Sequence, residues 1–307
     1  MSRTACVFPG QGSQTVGMLK ELAAEFPIVT ETFAQASSVL GYDLWALVQE
    51  DTEGKLNQTE ITQPALLAAS VAIWRVIESK NLDVDYLAGH SLGEYSALVC
   101  AGVIRFEDAI KLVEARGQFM QSAVPAGSGA MYAIIGLGDA EIEEACQQTA
   151  IATGDVVAPV NYNSPGQVVI AGEAKAVEQA AAACKDAGAK RALPLAVSVP
   201  SHCELMRPAA DQLAEMLESI QFNVPVIDVV NNVDVAVEKD PEAIKSALIR
   251  QLYCPVQWTK SIEYLASNGV ERVLEIGPGK VLTGLVKRIN KTLSGAAVNT
   301  PLAVEEL

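Results

Sequence analysis

Gly89-His90-Ser91-Leu92-Gly93-Glu94 lies between a short apolar run at 86–88 and an apolar helical pattern at 94–101 that stops at Gly102. Its Gly-x-Ser-x-Gly spacing is that of a nucleophile elbow, in which a strand turns sharply into a helix and small neighbours let the serine project from the turn. The flanking sequence supplies both the strand and the helix. Read this way, the stretch puts Ser91 at the end of a strand in an α/β sheet. The other reading is a glycine-rich loop in which Ser91 is incidental.

The composition agrees with an α/β fold. Half of the 307 residues are hydrophobic but only 5% are aromatic, and the apolar content comes from Ala, Val, Leu and Ile, as expected of helices covering a buried sheet. With 22 Lys and Arg against 37 Asp and Glu, the formal charge is −15. A nucleic-acid backbone is repelled by such a chain, and any anionic partner needs a local basic patch. The six cysteines, at 6, 100, 146, 184, 203 and 254, form no CxxC pair, which argues against a zinc cluster and against a secreted disulfide scaffold. The opening residues MSRTACVFPG lack the apolar core of a signal peptide, and no uninterrupted apolar stretch approaches the roughly 18 residues of a membrane span. The expectation is a soluble, cytoplasmic protein with no membrane partner.

Along the chain, residues 4–8 form a β-type run stopped by Pro9-Gly10, followed by a loop through Gln14 and a helix at 17–25. Gln63-Pro64 opens another helix, with the proline in its first turn where the missing N–H is harmless. The middle third predicts strands at 131–135, 156–161, 167–171 and 191–195, with helices at 140–148 and 174–187. This βαββαβ order is that of a ferredoxin-like unit inserted into a larger domain. The expected division is therefore a discontinuous hydrolase-like core at 1–126 and 199–307, with parallel strands, and a small subdomain at 127–198. After residue 203 the pattern returns to helix (207–219), strand (226–230), helix (241–252) and a last strand (272–276) ended by Gly277-Pro278-Gly279.

A serine hydroxyl needs a base, and the chain has two histidines. His90 adjoins Ser91 on one turn, where neighbouring side chains point apart, so His202 is the candidate. An orienting carboxylate would be expected between Ser91 and His202, yet no acidic residue there sits in a recognisable motif, which tells against an ordinary esterase. The N–H of Leu92, directly after the nucleophile, can supply half of an oxyanion hole. The loop Gly10-Gln11-Gly12, at the end of the first strand, is a candidate for the other half. It could also be a plain turn, but not a dinucleotide loop, because the third glycine position is Thr15. Arg116 lies beside the apolar stripe Phe106, Ile110, Val113, Gly117 and Met120 on a helix at 106–121. It either snorkels to solvent or reaches the cleft as a fork for a substrate carboxylate.

Phe8-Pro9-Gly10-Gln11-Gly12-Ser13-Gln14, the elbow itself, Arg116 with Gln118, Asn161-Tyr162-Asn163-Ser164-Pro165-Gly166-Gln167, and Val199-Pro200-Ser201-His202 together resemble the malonyl-CoA:acyl carrier protein transacylase family, in its bacterial, stand-alone fatty-acid-synthesis form. The resemblance runs from about residue 4 to 290 and takes in Asn231-Asn232-Val233, Arg250-Gln251-Leu252 and the run from Glu275 to Lys280. It implies that Ser91 attacks the malonyl thioester of malonyl-CoA while His202 accepts its proton. The pantetheine thiol of acyl carrier protein then takes the malonyl group in a ping-pong cycle without metal or cofactor. It further implies that the N–H groups of Gln11 and Leu92 form the oxyanion hole, that Arg116 pairs the malonyl carboxylate, and that the Gln251 carbonyl orients His202 in place of an acid.

Val199-Pro200-Ser201-His202 matches neither polyketide signature that separates malonyl from methylmalonyl, and a methyl group is worth only about 1–3 kcal/mol in a pocket. Some use of methylmalonyl is therefore expected. Carrier protein is acidic, which makes Lys190-Arg191 and Lys287-Arg288 candidate docking patches. A serine thioesterase and a non-catalytic carrier-binding module are the competing readings.

Overall fold

The computed structural model describes residues 3–80, 82–197 and 199–307. Ser198, at the expected subdomain boundary before the histidine loop, lies outside them. The chain begins with β1 (Arg3–Phe8), α1 (Lys20–Glu25), α2 (Pro27–Leu40), α3 (Leu44–Glu50) and α4 (Thr59–Glu78), then β2 (Tyr86–Gly89), α5 (Gly93–Cys100) and α6 (Phe106–Ser122). A middle block follows: β3 (Gly129–Ile135), α7 (Asp139–Thr153), β4 (Val157–Ser164), β5 (Gln167–Glu173), α8 (Ala174–Asp186) and β6 (Arg191–Pro194). The rest comprises α9 (Arg207–Glu218), β7 (Asp228–Val230), α10 (Pro241–Gln251), α11 (Trp258–Ser267), β8 (Val270–Ile276), α12 (Val281–Ile289), β9 (Ser294–Val298) and α13 (Pro301–Glu305).

The fold is α/β, with one parallel sheet and one separate antiparallel sheet. The parallel sheet has the order β7-β2-β1-β8-β9. β1 lies at its centre, and strand alternation explains how it is buried on both faces. Cys6 and Phe8 join the core beneath α2, α4 and α6, whereas Ala5 and Val7 join a second core with Trp258, Ile262 and Leu285 from α11 and α12.

β1 and β2 end in register, Phe8 opposite Gly89, so the loop after Pro9 and the turn at Ser91 leave the sheet side by side. β7 flanks β2 and delivers Asn231 and Asn232 to the same end. Loops that leave the carboxyl ends of neighbouring parallel strands bound a crevice, and the site lies in it. The turn at Ser91 is tight enough to demand glycine on either side. A Cβ on Gly89 would lie 1.9 Å from the Gly93 carbonyl, and one on Gly93 would lie 2.0 Å from the Phe8 carbonyl oxygen.

The antiparallel sheet has the order β4-β5-β3-β6. Val168 and Ile170 point to α7 and α8, while Val169 and Ala171 face Cys203 at the start of the returning chain. β4 is also tied to the other sheet's connections: Tyr162 N–H donates to the Val256 carbonyl at 3.0 Å, and Val256 N–H to that of Val160 at 2.9 Å.

Several expectations need correction. Pro64 does not sit in a first turn: α4 begins at Thr59, and Pro64 lies inside the helix. Its absent N–H removes the bond to the carbonyl of residue 60, a loss that the long, buried face of α4 outweighs. β8 is not the last strand, because β9 pairs parallel with it from Ser294 to Val298. Helices α2, α3, α11 and α12 were not anticipated, and α7 runs on to Thr153. Among the described residues no helix is long and apolar enough to cross a membrane.

Candidate active site

Ser91 adopts φ of 52°, left-handed backbone that a serine rarely takes. Two side chains hold it there. Asn232 Oδ1 accepts the Ser91 N–H at 2.8 Å, and Gln251 Nε2 donates to the Ser91 carbonyl at 3.1 Å. Asn232 in turn donates through Nδ2 to the Gly89 carbonyl at 2.6 Å, tying the strand's last residue to the turn.

The elbow aims the Ser91 hydroxyl at the second histidine. Ser91 Oγ lies 2.8 Å from His202 Nε2, and His202 Nδ1 lies 2.6 Å from the backbone carbonyl of Gln251. A carbonyl oxygen only accepts, so Nδ1 carries the proton, and Nε2 presents its lone pair to the serine hydroxyl. His202 is itself in left-handed backbone, φ 63°, with its N–H bonded to the Leu252 carbonyl. Burial, and then the positive charge of Arg116, push its pKa down to about 3, against the raising effect of the Gln251 carbonyl. The imidazole is therefore neutral at pH 7 and free to take a proton.

Arg116 does not snorkel to solvent; it is 1% exposed. Its Nη1 donates to Gln63 Oε1 at 2.8 Å, its Nη2 donates to Gln251 Oε1 at 3.0 Å, and Nη2 lies 3.5 Å from Ser91 Oγ. The guanidinium also lies over the Tyr95 ring, 5.3 Å from its centroid. Among the described residues no carboxylate forms an ion pair with it. A buried, charged fork whose side-chain partners among the described residues are amide and hydroxyl oxygens, none of them a carboxylate, is suited to an anionic ligand.

Ser91, Arg116 and His202 line one cleft of about 370 Å³, together with Gln11, Leu92 and Met120 and with Met131, Leu195 and Val197. That volume falls within the range of small-molecule sites. Gln11 and Leu92 thus converge on the cleft from the ends of β1 and β2. His90 also lines the cleft, but its Nε2–H donates to Asn163 Oδ1 at 2.7 Å, joining the elbow to β4. Among the described residues no cluster of His, Cys, Asp or Glu could hold a metal ion. Cys203, beside the histidine, is buried, and its thiol is pushed up to about 12, chiefly by desolvation.

A model of the acyl transferase domain family matches residues 5–303. A malonyl CoA-acyl carrier protein transacylase of Salmonella typhimurium is 65% identical over 305 residues, spanning 99% of this chain and 98% of the relative. The chain belongs to the malonyl CoA-acyl carrier protein transacylase family. Membership in this transacylase family makes it an acyltransferase enzyme. Two solved structures are similar throughout. The acyl carrier protein S-malonyltransferase of Vibrio cholerae has a TM-score of 0.97 at 65% identity, covering 99% of each chain. A malonyl-transacylase in complex with its type II PKS acyl-carrier protein has a TM-score of 0.97 at 64% identity, covering 99% of this chain and 98% of that one.

In this transacylase family member, sequence reasoning gave no role to four residues of the site. Gln63 holds Arg116, Asn163 holds His90, and Asn232 caps the nucleophile turn. Glu94, 2% exposed, accepts from the Asn232 N–H at 3.0 Å and from Gln251 Nε2 at 2.8 Å. The one local signal was a carboxylate inside the apolar run after the elbow. The basic pairs are surface residues. Lys190 and Arg191 precede cleft-lining Leu195 by several residues of extended chain, roughly 13 Å along the strand. Arg288 donates to Gln167 at the start of β5.

Proposed function

We propose that the protein moves the malonyl group from malonyl-CoA to the pantetheine thiol of acyl carrier protein through a malonyl ester on Ser91, supplying extender units for fatty acid synthesis. The observation that carries this reading is the position of Ser91 Oγ, 2.8 Å from an unprotonated imidazole nitrogen and 3.5 Å from a buried guanidinium without a carboxylate partner. A nucleophile, a base and a carboxylate fork share one point in the cleft.

The chemistry follows from that arrangement. As Ser91 Oγ bonds to the thioester carbon, its proton passes to His202 Nε2, and the Gln251 carbonyl steadies the imidazolium through Nδ1–H. The carbonyl oxygen gains negative charge opposite the N–H groups of Gln11 and Leu92, the latter at the positive end of α5. The intermediate collapses with loss of CoA thiolate, which recovers the proton from His202. The carrier's thiol then enters, gives its proton to the same nitrogen and attacks the ester carbon; the bond from that carbon to Ser91 Oγ breaks, Oγ recovers the proton from His202, and malonyl-carrier protein leaves. A malonyl carboxylate on Arg116 offsets part of the positive field that depresses His202, so the base strengthens when its proper substrate is bound. No metal or cofactor is required.

In this reading the parallel-sheet unit is a hydrolase-like core, residues 1–126 and 199–307, and the β4-β5-β3-β6 unit a ferredoxin-like subdomain, 127–198. The expected test outcome is direct. Malonyl-enzyme isolated free of CoA and mixed with holo acyl carrier protein should yield malonyl-carrier protein, with free malonate a minor product. Release of malonate alone would make the enzyme a thioesterase.

A further inference from the structure

Gln251 contributes more than its carbonyl. Its side-chain amide lies at the centre of the buried network, with Oε1 accepting from Arg116 Nη2 at 3.0 Å. Its Nε2 faces acceptors only: Glu94 Oε2 at 2.8 Å, the Ser91 carbonyl at 3.1 Å and Asn232 Oδ1 at 3.3 Å. Glu94 is the charged member of that set. The amide therefore stands between a buried carboxylate and a buried guanidinium, its dipole aligned with both. Charge separated by one polarised amide is still felt strongly in a water-poor interior. Pairing Glu94 directly with Arg116 would consume the fork that a substrate carboxylate needs.

We infer that Glu94 is a positioning residue for malonyl recognition: acting through the Gln251 amide, it is the remote counter-charge that aligns Arg116 while leaving the guanidinium without a carboxylate of its own. This rests on the function proposed above. The groups that face Glu94 are consistent with a carboxylate that changes charge near neutrality. Burial pushes it up to about 7, against the lowering effects of the Asn232 N–H, the Gln251 amide and Arg116, while Asp234 raises it. Tyr95 on α5 feels its charge, and Glu238 shares a small cavity with it. Below about pH 7 the carboxyl is neutral and Arg116 loses its counter-charge.

The test compares wild type with Glu94→Gln in the first half-reaction, using malonyl-CoA and acetyl-CoA between pH 5.5 and 8. Wild-type kcat/KM for malonyl-CoA should fall about ten-fold as pH drops through 7, the weight of a hydrogen bond to a charged group, while the acetyl-CoA profile stays level. Glu94→Gln should be about ten-fold slower with malonyl-CoA at pH 8, with no inflection, and should lose far less with acetyl-CoA, so that the ratio of the two kcat/KM values drops several-fold. Its melting temperature at pH 8 should equal or exceed wild type, because a buried carboxyl whose pKa is raised opposes folding when ionised. Equal losses with both substrates would reduce Glu94 to holding Asn232 and the elbow, and overturn the inference, as would a variant indistinguishable from wild type. If Glu94→Gln fails to fold, the wild-type profiles decide: an inflection with malonyl-CoA alone supports the inference, and a level malonyl-CoA profile refutes it. Absence of any malonyl adduct on wild type would instead refute the underlying function.

Discussion

His202→Ala should lower the rate of Ser91 acylation by malonyl-CoA about 10²- to 10⁴-fold, the usual weight of a positioned general base. The imidazole is 2.8 Å from the hydroxyl, and the other histidine, His90, is engaged with Asn163. KM should change little, because His202 meets the reacting hydroxyl rather than the malonyl carboxylate. A variant that acylates at the wild-type rate would remove His202 from the mechanism. The same residue makes a prediction about stability. Its pKa falls from 6.5 to about 3 on folding, so the unfolded chain binds a proton between those values that the folded chain refuses. Its stabilising contribution is complete above about pH 6.5 and is lost as pH falls towards 3. Thermal melts at pH 5 and 7.5 should show wild type losing more stability on acidification than His202→Ala.

Arg116→Ala should depress malonyl transfer by two to four powers of ten and acetyl transfer far less. Removing one partner of a buried ion pair costs about 3–5 kcal/mol, and here the pair forms only with a substrate that carries a carboxylate. The guanidinium also braces the Gln251 and Gln63 side chains, so some loss with acetyl-CoA is expected. The informative quantity is the ratio of kcat/KM for the two substrates. Removing the positive charge also raises the His202 pKa, so the surviving acetyl activity should decline at higher pH than in wild type. Equal losses with both substrates would make Arg116 scaffolding.

The parts of this site that could be read from sequence are those with a local signature. The elbow needs its glycines because Gly93 presses on the Phe8 backbone, so the motif and its strand-turn-helix setting carry Ser91 directly. His202 followed from scarcity, with two histidines in the chain. Arg116 was ambiguous on a helical wheel, since a position beside the stripe is compatible with either cleft or solvent. The orienting group for His202 had no signature, because a backbone carbonyl leaves no trace in residue type; its assignment to Gln251 came from family resemblance. The network beneath the nucleophile was also invisible. Gln63, Glu94, Asn232 and Gln251 come from α4, α5, the loop after β7 and the end of α10, and only tertiary structure brings these three amides and one carboxylate together.

The misread elements have similar causes. β9 pairs at the sheet's edge through the small residues Ser294 to Ala297, three of these four exposed, so it lacks the apolar alternation that marked β1. Pro64 marks a helix start in most contexts, but buried Thr59, Thr62 and Gln63 extend α4 by five residues before it. α2 did carry a helical spacing in Val29, Phe33 and Ala36 and ends at Gly41 in left-handed backbone, φ 80°, a pattern that sequence reasoning passed over.

The central claim is that Ser91 carries the malonyl group as a covalent ester, and intact mass of the protein mixed with malonyl-CoA in the absence of carrier protein tests it most directly. Wild type should gain the mass of a single malonyl group, Ser91→Ala should gain none, and a pantetheine thiol should clear the adduct. An unmodified wild-type protein, or an adduct that persists on Ser91→Ala, would contradict it.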